Sequence, residues 1–87
     1  MELEEVFSSS ARMKILKLIY NLGSLNVSNV ARRIKMNYAA TAKHLKLLEQ
    51  EGILHEHVYG RVHMYRFNEA SAKAKAVAAL IETWEKQ

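Results

Sequence analysis

The chain has no proline and only three glycines, at positions 23, 52 and 60, so the points where its path can turn sharply are few. Gly23 follows Ala11, Ile15, Leu18 and Leu22, whose 4-3-4 spacing lines one face of a helix with Ser8 or Ser9 as its cap. Gly52 follows a run from Tyr38 in which Thr41, Leu45 and Leu48 recur at helical spacing. Both glycines fall just past a helix end, where a left-handed residue is wanted. Between these two helices, Val27, Val30, Ala31 and Ile34 mark a short amphipathic helix capped by Asn26. Only Lys35, Met36 and Asn37 separate it from the next helix, which Asn37 caps. Helices joined by so short a turn cross steeply, as in a helix-turn-helix.

Beyond Gly52 the period changes from helical to alternating, and Gly60 sits between two strand-like runs. With Tyr59-Gly60 as the loop, Val58 pairs with Arg61, Leu54 with Tyr65 and Glu56 with His63. Leu54, Val58, Tyr65 and Phe67 then share the face toward the helices, and His55, His57, Val62, Met64 and Arg66 the other. A slip of one residue would send the apolar set to solvent. Asn68 is the expected cap of a last helix, in which Ala70, Ala74, Val77, Ile81 and Trp84 form a narrow apolar seam. The fold class is therefore mainly α with a small β-hairpin and a long C-terminal helix. At 87 residues the chain makes one domain, with the helix-turn-helix and hairpin in 8–67 and the last helix in 68–87.

The charges are unevenly spread. No acidic residue lies between Glu5 and Glu49, while Arg12, Lys14, Lys17, Arg32, Arg33, Lys35, Lys43 and Lys46 all do. With a net charge of +4, this segment is the footprint of a polyanion binder, or else a set of solvated helix faces. Cysteine is absent, which removes disulfides, thiolate chemistry and Cys-based zinc sites. The histidine pair His55 and His57 lacks the further ligands of an ordinary metal site, so no metal or other cofactor is expected. With no Asp and no phosphate-binding glycine loop, an enzyme is not expected either. No apolar run approaches the roughly 20 residues of a membrane span, and the acidic start is unlike a secretory signal, so a cytoplasmic protein is expected.

The motifs Ser-Ser-Ala-Arg-Met-Lys-Ile-Leu-Lys-Leu-Ile at 9–19, Lys-His-Leu-Lys-Leu-Leu at 43–48, Glu-Gly-Ile-Leu at 51–54 and Tyr-Gly-Arg-Val-His-Met-Tyr-Arg-Phe-Asn at 59–68 resemble those of ArsR-type winged helix-turn-helix regulators. The chain is similar to a small, archaeal-looking member of that group. The resemblance implies a transcription regulator that binds double-stranded DNA, with residues 37–48 in the major groove and the hairpin as a wing. On it, Asn37, Tyr38, Ala39, Ala42, Lys43 and Lys46 would face DNA from the recognition helix. Ser28, Asn29 and Arg32 would do so from the short helix, and Tyr59 and Arg61 from the wing. Family members dimerise through their first and last helices, which assigns Ala70, Ala74, Val77, Ile81 and Trp84 to a homodimer interface; the alternative is that the seam packs only on its own domain, beneath Leu3, Val6 and Phe7.

Two departures from the family stand out. Lys35 occupies a turn position that is often glycine, which predicts a slightly different turn. The recognition helix has no cysteine, and residues 69–87 have no His or Asp, so the family's metal-sensing role does not transfer. The recognition face also offers no Arg or Gln, and no Asn beyond the cap, for bidentate base readout. That keeps open a sequence-tolerant architectural DNA binder, or a winged helix that docks on protein instead.

Overall fold

The computed structural model describes residues 1–86. Its elements run α1 (Leu3–Ser8), α2 (Ser10–Leu22), β1 (Ser24–Asn26), α3 (Val27–Ile34), α4 (Tyr38–Gln50), β2 (Leu54–Tyr59), β3 (Val62–Phe67) and α5 (Ala72–Glu85). The strands form one antiparallel sheet in the order β1-β3-β2. This is a winged helix: α3 and α4 make the helix-turn-helix, and β2 with β3 the wing.

Three of the expected caps are in place. Ser9 accepts from the Arg12 backbone N–H at 3.2 Å, Asn26 from that of Asn29 at 2.8 Å, and Asn37 from that of Ala40 at 2.8 Å. The fourth is displaced. Ser71, not Asn68, caps α5 by accepting from Ala74. The Asn68 backbone N–H instead donates to the Ile53 carbonyl and its side chain accepts from the Ala70 N–H, so Asn68 closes a turn and Ala70 precedes the helix. Two elements have no counterpart in the periodicity. The first is α1, too short for a stripe, which buries Val6. The second is β1, whose Leu25 pairs with Tyr65 and is buried beside it.

The core is built on Ile15, Leu16 and Ile19 of α2, Val30 of α3 and Leu45 and Leu48 of α4, all fully buried. Thr41 joins them by donating its hydroxyl to the Asn37 carbonyl at 2.8 Å. The face of α2 is thus rotated from the expected stripe: Leu22 is 50% exposed, and Leu16 and Ile19 take the inner positions. Apolar residues surround α2 densely enough that spacing alone supports both faces. From α5, Ala74, Val77 and Ile81 enter the same core.

The turn between α3 and α4 does not change to suit its lysine. Lys35 itself adopts the left-handed conformation, with φ 58° and ψ 49°. The wing register differs by two residues from the expected one. Tyr59 pairs with Val62, Glu56 with Tyr65 and Leu54 with Phe67, and Gly60-Arg61 forms the loop. Gly60 has φ 60° while Arg61 does not share a positive φ, the pattern of a two-residue turn that needs glycine first. An even shift leaves every side chain on its expected face. It also moves the turn outward, so Val58, expected against the helices, is 54% exposed near the tip.

Acidic side chains tie the ends of the helices together. Glu51, at the end of α4, accepts from the Met1 α-amino group at 2.7 Å and from Lys73 of α5 at 2.6 Å. These contacts, the Lys73 hydrogen bond foremost, hold its pKa down at about 2. Tyr20 of α2 donates to Glu82 of α5, and Lys17 lies 3.0 Å from Glu85.

Two outcomes follow from these features. A left-handed non-glycine residue costs roughly 1 kcal/mol, partly offset by the entropy glycine loses on folding. Lys35→Gly is therefore expected to raise the melting temperature by a few degrees, on the order of 4 °C, in a thermal scan followed by circular dichroism. The Glu51 carboxylate, depressed from 4.5 to about 2, contributes stability that is present above pH 4.5 and lost as pH falls toward 2. In denaturant titrations, the stability gap between wild type and Glu51→Gln should be widest near neutrality and close on acidification.

Candidate nucleic-acid interface

The buried inner face of α4 leaves its other side to solvent along the edge where α3 begins and the wing folds back. Tyr38 is 59% exposed at the first position of α4, and Ala39 and Lys43 are exposed beside it. Ser28 of α3, Tyr38 of α4, and Arg61 and His63 of the wing line one cleft. Three separate elements thus converge on one surface patch. The N-termini of α3 and α4 both open toward it, bringing backbone N–H dipoles that favour an anion.

Not every expected side chain is equally free. The Asn37 side-chain oxygen is occupied in capping Ala40. Ala42 is partly buried and packs against the core, so it offers little outer surface. Lys43 makes no ion pair among the described residues, but Lys46 lies 3.4 Å from Glu49 and 4.0 Å from Glu56. Arg32 donates to the Asn29 side chain at 2.8 Å, which fixes both along α3. Tyr59 is 65% exposed near the wing tip, and Arg61 stands in the loop itself.

Glu56 organises the junction between wing and α4. Its carboxylate accepts from the Tyr65 hydroxyl at 2.6 Å and lies 3.1 Å from His63 Nδ1. The Tyr65 hydrogen bond, helped by His63 and Lys46, holds this carboxyl below its ordinary pKa. Burial and the same carboxylate push the Tyr65 phenol up. The sequence pairs Glu56 with His63 directly across the strands. The structure makes that contact diagonally and gives the direct position to Tyr65, so Glu56 is a hub and His63 a cleft residue. Only the correct register reveals this. His44 is half-buried on the flank of α4, and burial, then Arg12 and Lys43, lower its pKa, which favours a neutral ring.

The seam of α5 is split. Ala74, Val77 and Ile81 are buried within the chain's own core, and Ala70 lies outside the helix, so these four do not form a free face. Trp84 does remain outside, 74% exposed. Leu80 at 43%, Leu3 at 67% and Phe7 at 36% are exposed on the same side: Leu80 lines one groove with Trp84 and a second with Leu3 and Phe7. The periodicity names Trp84 but not Leu80, which lies between the heptad positions of α5, nor Leu3 and Phe7, which precede the first stripe.

No helix among the described residues is long and apolar enough to cross a membrane. No curated protein sequence matches the chain. Among solved structures it is similar to HlyU from Vibrio cholerae, with 21% identity over 98% of this chain and 89% of that one and a TM-score of 0.80. A predicted DNA-binding transcriptional regulator from E. coli aligns at 21% identity over 97% and 83% of the two chains, with a TM-score of 0.81. Mb0332 from Mycobacterium bovis is described as a homodimeric winged helix-turn-helix DNA-binding domain and a possible ArsR-family regulator. It aligns at 21% identity over 94% and 73%, with a TM-score of 0.76. These likenesses carry the fold. Residues 9–56 match the MarR family rather than the ArsR type that the motifs resemble; that span holds the helix-turn-helix and the start of the wing. On this match the chain belongs to the MarR family and is a winged-helix, DNA-binding regulator of transcription.

Proposed function

We propose that the protein regulates transcription as a homodimer, with the outer face of α4 in the major groove of duplex DNA and the wing against the neighbouring backbone. The observation that carries this reading is the convergence of Ser28, Tyr38, Arg61 and His63 on one cleft beside the unpaired Lys43. Glu56, where wing and α4 meet, and Glu49, on α4, are engaged by Tyr65, His63 and Lys46. In this reading Asn37, Tyr38, Ala39 and Lys43 face the groove. Ser28, Asn29 and Arg32 meet phosphates, and Tyr59 and Arg61 reach from the wing. Lys46 contributes less, because it must first leave its carboxylates. Ala42 serves as a shallow spacer against a thymine methyl.

Two copies would join through Leu3, Phe7, Leu80 and Trp84 rather than through the buried part of the α5 seam. The apolar band supports this, as does the homodimeric description of the Mycobacterium bovis neighbour. Within winged-helix regulators the protein is then of the compact ArsR-like kind, a non-enzymatic cytoplasmic DNA binder. One feature favours weak sequence preference: the Asn37 oxygen is committed to its cap, leaving no bidentate base reader on the face. Selection from random DNA separates the two roles, since a recovered palindrome marks an operator-specific regulator and its absence an architectural one.

Mobility shifts at several salt concentrations test the DNA face. Lys43→Ala and Arg61→Ala are each expected to weaken binding on every sequence and to reduce the log–log salt slope by about 1. Lys46→Ala should have the smaller effect. Sedimentation tests the dimer. Leu80→Ser with Trp84→Ser should yield a folded monomer, whereas Val77→Ala should lower the melting temperature without a selective loss of dimer.

A further inference from the structure

The outer face of the wing points away from the core, and of His55, His57, Val62, Met64 and Arg66 only Val62 lines the cleft. On this face His55 and His57 stand two residues apart on β2, an edge strand of the sheet. Their ring centres are 4.6 Å apart and nearly perpendicular, at 81°. Two imidazoles bound to one metal through bonds of about 2.0 Å, at angles of roughly 90–120°, hold their ring centres about 4.4–5.5 Å apart. The spacing of the two rings falls within that range.

His57 Nε2 is shielded from solvent and has no hydrogen-bond partner. Tyr59 stacks against the His57 ring on the side toward the tip, with centres 6.1 Å apart.

The third donor decides which metal fits. Among the described residues no group of three His, Cys, Asp or Glu side chains could hold a metal, so no carboxylate or further imidazole completes the shell. Directly across from His57 in the ladder stands Met64, and across from His55 stands Arg66, both on this face. A thioether selects a soft cation, and the neighbouring guanidinium opposes a high positive charge. From this juxtaposition we infer that His55, His57 and Met64 form a site for a soft monovalent metal ion of the Cu(I) class. Bound there, the ion would tie edge strand β2 to β3. The inference does not depend on how the protein meets DNA.

The test uses the full chain under anaerobic conditions. Cu(I) is titrated against a competing chelator, and Ag(I) serves as the closed-shell probe for NMR of methionine methyl and histidine ring signals. One equivalent should bind, shifting His55, His57 and Met64 together while Met1, Met13 and Met36 stay in place. His57→Ala should weaken Cu(I) binding roughly tenfold or more, since loss of an outer-shell partner alone costs about that much. Met64→Leu, which conserves volume, should weaken it with the fold intact by circular dichroism. Should His57→Ala disturb the fold, His55→Ala at its exposed position gives the same readout. Binding that survives both histidine changes, a Met64 methyl that does not move, or shifts confined to other methionines would overturn the inference.

Discussion

Burial of the inner face of α4 fixes where everything else stands. Thr41, Leu45 and Leu48 are fully buried, and Leu45 and Leu48 share one apolar cluster with Ile15, Leu16 and Ile19 of α2 and Val30 of α3. Truncating a side chain in such a position typically costs about 2–5 kcal/mol, a large part of the stability of a domain this small. Because that face is committed, the opposite face of α4 has no choice but to meet solvent. The left-handed Lys35 sets the angle between α3 and α4, so the starts of both helices open on the same side. The candidate DNA surface is therefore a by-product of core packing, held rigid by it.

Electrostatics act on that surface mainly by removal. Glu51 is held by Met1 and Lys73, Glu82 by Tyr20 and Lys86, and Glu85 by Lys17. None of these residues lines the cleft. Glu56 is set where wing and α4 meet. Its hydrogen bond from Tyr65 roots it in the core, and its approach to Lys46 takes one cation partly out of use. Exposed ion pairs contribute little stability individually, about 0–1 kcal/mol, so their importance here is for the field left over. Arg32, Lys43, Arg61 and the two helix N-termini remain to provide it.

The sheet shows how a wrong register can still yield the right faces. Pairing the strands about Tyr59-Gly60 and pairing them about Gly60-Arg61 differ by two residues, and alternation is blind to an even shift. His55, His57, Met64 and Arg66 were therefore legible as one face from the sequence. Which of them stand opposite each other was not, and the choice matters: it puts Met64 across from His57 and moves Val58 out to the tip. A similar ambiguity affects α5. Its heptad seam reads equally well as a dimer stripe or as core, and the fold uses Ala74, Val77 and Ile81 as core.

The sequence by itself determined the helix-turn-helix and the wing. Caps at Ser9, Asn26 and Asn37, a glycine at the hairpin and a change of period after residue 52 are local signals, set by backbone hydrogen bonding within a few residues. It also determined the acid-free stretch that first points to a polyanion partner. Tertiary structure alone decided α1, β1, the start of α5 at Ser71 and the buried face of α2, because each depends on a partner distant in the chain. Leu25 becomes a strand residue only when Tyr65 lies beside it, and Asn68 gives up its cap because Ile53 offers its N–H a carbonyl. The same holds for the apolar band of Leu3, Phe7, Leu80 and Trp84: it is what remains exposed after the core has taken what it needs.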